Sequence, residues 1–112
     1  MHLMTISNYA LTSFSLAELP RIEHHPEDVK DAIPSQAVKF TVKATGTKPL
    51  SYQWLHMPAG KKDWSDLQGE ARSTLSIPSV QKSNEGSYCC VISNCTNVTE
   101  TSNSAVLSVG KH

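Results

Sequence analysis

The sequence predicts an all-β fold: an antiparallel sandwich or barrel of about seven short strands. Three observations carry this. Val38, Phe40, Val42 and Ala44 alternate strictly with Lys39, Thr41, Lys43 and Thr45, the period-2 pattern of a strand with one buried face. Short runs of the same kind recur along the chain, parted by polar turns roughly every ten residues. No stretch keeps a 3.6-residue apolar period long enough to compete.

Taken in order, residues 1–19 are rich in Ser and Thr with scattered apolar residues and hold neither period. They read as a linker or the flank of a preceding domain, or a short helix, closed by Pro20. Arg21 to Val29 reads as a first edge strand, because Pro26 inside it is tolerated only at an edge. Asp31 to Gln36 is a turn region, and Val38 to Thr45 is the alternating strand ending at Gly46. Ser51 to His56 follows, then a polar turn at Gly60 to Asp63. Ser73 to Pro78 alternates again, with Leu75 and Ile77 inward. The stretch Asn84 to Asn94 and the run Ala105 to Val109 are the last two strands. Residues 20–110 thus read as one domain and 111–112 as a tail.

Composition narrows the function classes. Ten basic and ten acidic residues cancel, and only Lys61 and Lys62 form a basic pair. A neutral chain without a basic patch lacks the electrostatic footprint for nucleic acid. No run of about eighteen apolar residues exists, so no membrane insertion is expected. No Lys or Arg precedes Arg21, and the N-terminus does not read as a signal peptide. Three cysteines are an odd number, so at least one thiol is left over within the chain. That pattern suits a reducing compartment.

Trp54, Tyr88 and Cys90 are the centre of the pattern. Tyr88 and Cys90 are two apart on one strand and share its inward face with Gly86 and Ile92. With these residues the chain resembles the immunoglobulin-like domains, and within them the intermediate or I-set class. Val38 to Gly46 resembles strand B of that class, Tyr52-Gln53-Trp54 strand C, and Ser73 to Ile77 strand E. Asn84 to Ser93 resembles strand F and Ser104 to Val109 strand G. The resemblance covers about residues 20–110. It implies an all-β, immunoglobulin-like antiparallel β-sandwich with Greek-key connections and about seven to eight strands, with core signature Val42, Trp54, Leu75, Gly86, Tyr88 and Cys90. It implies a tyrosine corner, in which the Tyr88 ring enters the core and its hydroxyl bonds back to the Asn84-Glu85-Gly86 turn. The texture around Tyr52-Gln53-Trp54 and Tyr88-Cys89-Cys90 is also similar to intracellular immunoglobulin domains of paracaspase-type signalling proteins and of muscle and cytoskeletal scaffolds.

The departures are informative. Val42 stands where the family carries its strand B cysteine, so the usual inter-sheet disulfide cannot form. In a secreted domain that loss costs about 2–5 kcal/mol, whereas in a reducing compartment the bond would not persist. Cys90 then acts as a small buried hydrophobe. Cys89 is expected to point outward on the face of strands G, F and C, and Cys95 to lie near the F–G turn. Cys89 and Cys95 lie on one hairpin, too far apart along an extended strand to pair. Asn94-Cys95-Thr96 and Asn97-Val98-Thr99 are N-x-T sequons, which a secreted protein could glycosylate. Trp64 lies between Asp63 and Ser65 in the C–E connection. It reads as a cover for the lower edge of the core, with an exposed binding hot spot as the alternative.

Catalytic chemistry is not legible. No Cys-x-x-Cys or His-x-x-x-His spacing marks a zinc site, and no nucleophile elbow or phosphate loop is present. His24 and His25 read as a solvated edge strand. The expectation is therefore a non-catalytic protein–protein interaction or spacer module of a larger intracellular signalling or scaffold protein, with no cofactor and no metal. Its partner would be another protein or a neighbouring domain, met through the G-F-C face, Trp64 and Cys89, or through an edge strand. The alternative is an extracellular adhesion or receptor domain glycosylated at Asn94 and Asn97.

Overall fold

The computed structural model describes residues 17–110. The linker or flank expected at 1–19 lies outside these residues up to position 16, as does the expected tail at 111–112. The described chain is a two-layer β-sandwich of ten strand segments. One layer holds β1 (Arg21–His24), β3 (Val38–Thr41), β4 (Lys43–Thr45) and β7 (Thr74–Ile77), with β1 on β4 and β3 on β7. The two ladders join at Val42, whose N–H donates to the Ser73 carbonyl at 2.9 Å. The other layer runs β2 (Val29–Ala32), β10 (Ala105–Val109), β8 (Gly86–Ser93), β5 (Ser51–Pro58) and β6 (Ser65–Asp66), with β9 (Thr99–Thr101) also on β8. All pairings are antiparallel except β2 with β10, which is parallel. One 3-10 turn, Lys82–Asn84, precedes β8.

Sequence and structure differ at the start of the sandwich. The single edge strand expected from Arg21 to Val29 is two strands, one in each layer. Pro26 is buried at the crossing and cannot donate to either ladder, so the strand ends before it and resumes in the other sheet. Asp31 and Ala32, expected in a turn, close β2; the turn itself is Ile33 to Gln36, where the Gln36 N–H donates to the Ile33 carbonyl. β6 and β9 carry no apolar alternation of their own and were not anticipated.

The core follows the period-2 pattern. Val38, Phe40, Val42, Leu75 and Ile77 come from one layer; Trp54, Tyr88, Cys90, Ile92, Ala105, Leu107 and Val109 come from the other. Trp54, Cys90 and Ile92 are wholly buried. The Trp54 indole N–H, which cannot go unpaired there, donates to the Arg72 carbonyl at 2.7 Å. No helix among the described residues is long and apolar enough to cross a membrane.

Candidate functional site

The six residues of the expected core signature fall in one place. Val42, Trp54, Leu75, Tyr88 and Cys90 belong to one cluster, and Gly86 opens the strand that carries Tyr88 and Cys90. Tyr88 is anchored from three sides. Its ring stacks on Phe40 at 5.0 Å between centroids and on His56 at 4.3 Å. Its hydroxyl donates to the Asn84 carbonyl, which closes the turn before β8. Burial pushes the Tyr88 phenol up to about 12. Gly86 sits at φ +137° against β5, where a β-carbon would press on Pro58 Cα and Ala59 N, each at 2.9 Å. The turn is held from a second side by Glu85. Its carboxylate accepts the Val109 N–H at 2.7 Å and pairs with Lys82 at 3.3 Å. The Val109 hydrogen bond, followed by the Lys82 contacts, holds the Glu85 carboxyl below its usual value despite an opposing desolvation.

The cysteines correct one expectation. All three are free thiols, and Cys89 is buried, 5% exposed, rather than open on the outer face. It does face away from Cys90. However, β8 is flanked on both sides, with Leu55 of β5 directly across from Cys89 and the chain between β9 and β10 on the other side. A short side chain between taller neighbours on a central strand is shielded even when it points out of the sandwich. Burial pushes the Cys89 thiol up, and pushes the Cys90 thiol up to about 12. Cys95 is exposed.

The outer face of the β10-β8-β5 sheet is the broadest candidate surface. Its outward positions are Val106 and Ser108 on β10, Ser87, Cys89 and Val91 on β8, and Gln53, Leu55 and Met57 on β5. None carries a charge. Register places Leu55 opposite Cys89, Met57 and Val106 opposite Ser87, and Gln53 opposite Val91. Leu55, Met57 and Val91 are half-buried and Val106 is 43% exposed. Trp64, 40% exposed, immediately precedes the edge strand β6 of this same sheet. Gln53 ties that edge down by donating from Nε2 to the Leu67 carbonyl at 3.0 Å and to its neighbour Trp54's carbonyl at 2.9 Å.

The two sequons differ. The Asn94 amide nitrogen donates to the Glu18 carbonyl at 2.7 Å and to the Thr47 carbonyl at 3.0 Å. Its oxygen accepts from the Thr96 N–H and hydroxyl. Asn94 therefore staples the entering chain and the β4–β5 turn to the β8–β9 turn, and its nitrogen has no room for a sugar while these bonds hold. Asn97 is exposed at φ 65°, a left-handed conformation that Asn tolerates. Sequence reasoning also missed Ser102, a buried hydroxyl that accepts the Cys90 N–H at 2.9 Å while its own N–H donates to the Cys90 carbonyl. Nothing in a polar Thr-Ser-Asn-Ser stretch singles it out. Among the described residues, no three His, Cys, Asp or Glu side chains gather where they could hold a metal ion.

Comparison with known proteins agrees with this architecture. A family model described as "Immunoglobulin domain" matches residues 20–94. No curated protein sequence matches the chain. Among solved structures, one of Dscam isoform specificity superposes with a TM-score of 0.68 at 20% identity, covering 83% of this chain and 25% of that one. A three-domain titin structure gives 0.65 at 23% identity, covering 82% and 32%. The tandem immunoglobulin repeats of Dlar give 0.64 at 25% identity, covering 83% and 47%. The chain thus spans about half or less of the solved chains it matches. With its two-layer topology, its tyrosine corner and the family match over residues 20–94, the chain belongs to the immunoglobulin domain family.

Proposed function

We propose that this domain is a non-catalytic protein–protein interaction or spacer module of the I-set class, within a larger intracellular signalling or scaffold protein. The observation that carries the interaction reading is the outer face of β10, β8 and β5, where eight outward positions carry no charge and Val106, Leu55 and Met57 leave apolar surface open. The centre of a protein interface is depleted of charge in this way. Trp64 adds a partly exposed aromatic at the margin of the same sheet. Cys89 points out of the sandwich on that face but is shielded by its neighbours. Residues 20–110 act as one unit, and 1–19 connect it to a neighbouring domain. Support for the reducing compartment comes from Val42 in the strand that would hold the partner of Cys90, and from three free thiols. The test is a photo-crosslinking residue at Val106, compared with one at Lys39 on the opposite sheet, in the cells that make the protein. A defined protein adduct from position 106 and not from 39 is expected. Equal or absent adducts from both positions overturn the reading.

One observation favours the second reading, an extracellular glycosylated adhesion or receptor domain. Asn97 is exposed within an N-x-T triplet. Mass spectrometry of the protein from a secretory host separates the two. A glycan on Asn97 supports the extracellular reading; three alkylatable thiols and no glycan support the intracellular one.

A further inference from the structure

Among the described residues, β7 pairs with β3 alone, so one side of its backbone faces no strand. The ladder shows which groups are free. Ser73's carbonyl accepts from Val42, and the Thr74 and Thr41 hydroxyls meet at 3.3 Å. Thr41 and Thr74 are therefore a non-hydrogen-bonded pair, and the N–H and C=O of Thr74 point away from β3. Two residues on, those of Ser76 do the same. The edge also lacks the usual protection. Thr74-Leu75-Ser76-Ile77 contains no charge, no proline and no bulge. Beside it lies a groove of about 250 Å³, between β7 and the turn after β6. Leu67, Ile77 and Tyr88 line it, Glu70 is its one carboxylate, and no Lys or Arg lines it. It is smaller than a small-molecule pocket, which needs roughly 300 Å³ or more.

We propose that the free edge of β7 is a docking site for one extended β-strand of a partner protein, carrying an apolar side chain for the groove and a basic side chain for Glu70. The backbone of Thr74 and Ser76 supplies hydrogen bonds, as in strand addition generally. Glu70, the one carboxylate of a groove that holds no Lys or Arg and whose single imidazole is His56, selects the charge. A second copy of β7 is a poorer occupant, since its strand brings no basic residue of its own to Glu70. The proposal rests on the protein-interaction reading above but uses a different surface, so the two fail separately: crosslinks from Val106 report on the sheet face and not on this edge.

The experiment uses the full chain, isotopically labelled, with a blocked synthetic peptide copying residues 37–43. That segment is the one β7 already pairs with, and it alternates apolar residues with Lys39 and Lys43. Saturable amide shifts centred on Thr74 and Ser76 are expected, with at least tenfold slower hydrogen exchange at those two amides. Ser76→Pro removes an outward N–H without touching the β3 ladder and should abolish binding. Glu70→Gln, and a peptide with both lysines changed to Glu, should each weaken it at least threefold; these decide the matter if Ser76→Pro does not fold. Three outcomes overturn the proposal: no shift at Thr74 and Ser76 up to millimolar peptide, binding indifferent to the Glu70 charge, or protection of the edge by the protein's own concentration without peptide.

Discussion

Val42→Cys tests the relation between the layers most directly. Val42 lies in the β3–β4 layer and Cys90 in the β8 layer, and both are buried in one core with Trp54. A bond between positions 42 and 90 closes a loop of 48 positions. In the chain-entropy treatment that constrains the unfolded state by about 4 kcal/mol at 25 °C. Trading valine's second methyl for a thiol costs about 1 kcal/mol of packing. The oxidised variant should therefore gain about 3 kcal/mol, or roughly 15 °C in Tm for a domain near this size. The reduced variant should lose about 1 kcal/mol against the natural protein. Calorimetry with and without reductant measures both, and peptide mapping identifies the bond. The adjacent thiols make the test strict. Linkage of the introduced thiol to Cys90 is expected. Linkage to Cys89, which faces the other way, or no linkage under oxidant, would refute the facing of the two strands.

Four further outcomes are expected. Tyr88→Phe deletes the hydroxyl that closes the Asn84 turn and should cost about 1–2 kcal/mol in urea unfolding, with the ring stacks intact. Gly86→Ala forces a β-carbon against β5 backbone at a positive φ and should cost about 3 kcal/mol or more, leaving little folded protein by circular dichroism. Because the Glu85 carboxyl is held below its unfolded value, its stabilising effect is present at neutral pH and is lost as pH falls through the folded value; Glu85→Gln should flatten the decline of Tm below the ordinary carboxylate value of 4.5. Iodoacetamide should label only Cys95 in the native protein at pH 8 and all three cysteines in guanidinium, by intact mass; rapid native labelling of Cys89 would contradict its burial.

How much of this was legible depends on how local each determinant is. The β3–β4 strand could be read because its alternation is its own, from Val38 to Thr45. The tyrosine corner could be read because Asn84, Gly86 and Tyr88 are neighbours in sequence. The burial of Cys89 could not. Its orientation is written in β8, but its exposure is set by Leu55 and by the chain joining β9 to β10. The division of the first strand was half legible: Pro26 forbids a continuous ladder, yet nothing local says that the chain resumes in the other sheet. Asn94 looked like a sequon because its triplet is local, while its hydrogen bonds run to Glu18 and Thr47, 76 and 47 positions away. The edge of β7, which no other strand than β3 pairs among the described residues, is the extreme case, since a strand's own residues do not record its neighbours.

The missing disulfide and the free edge bear on one another. A sandwich without a covalent tie between its layers relies on non-covalent contacts to hold them, and here the buried ones centre on Trp54, Tyr88 and Phe40. The tryptophan's hydrogen bond reaches the Arg72 carbonyl, in the segment just before β7. Ser73, next along, accepts from Val42 and starts the β3–β7 pairing. The position that lacks its cysteine is thus hydrogen-bonded to the approach of the strand whose outer edge is open. A strand added to β7 would extend the layer that Val42 belongs to and would further fix the segment that caps Trp54. Binding at the edge should then raise the stability of the whole domain by mass action, by about 2.7 kcal/mol at a hundredfold excess of strand over its Kd. A peptide that shifts Thr74 and Ser76 without raising Tm would bind beside the edge rather than complete the sheet.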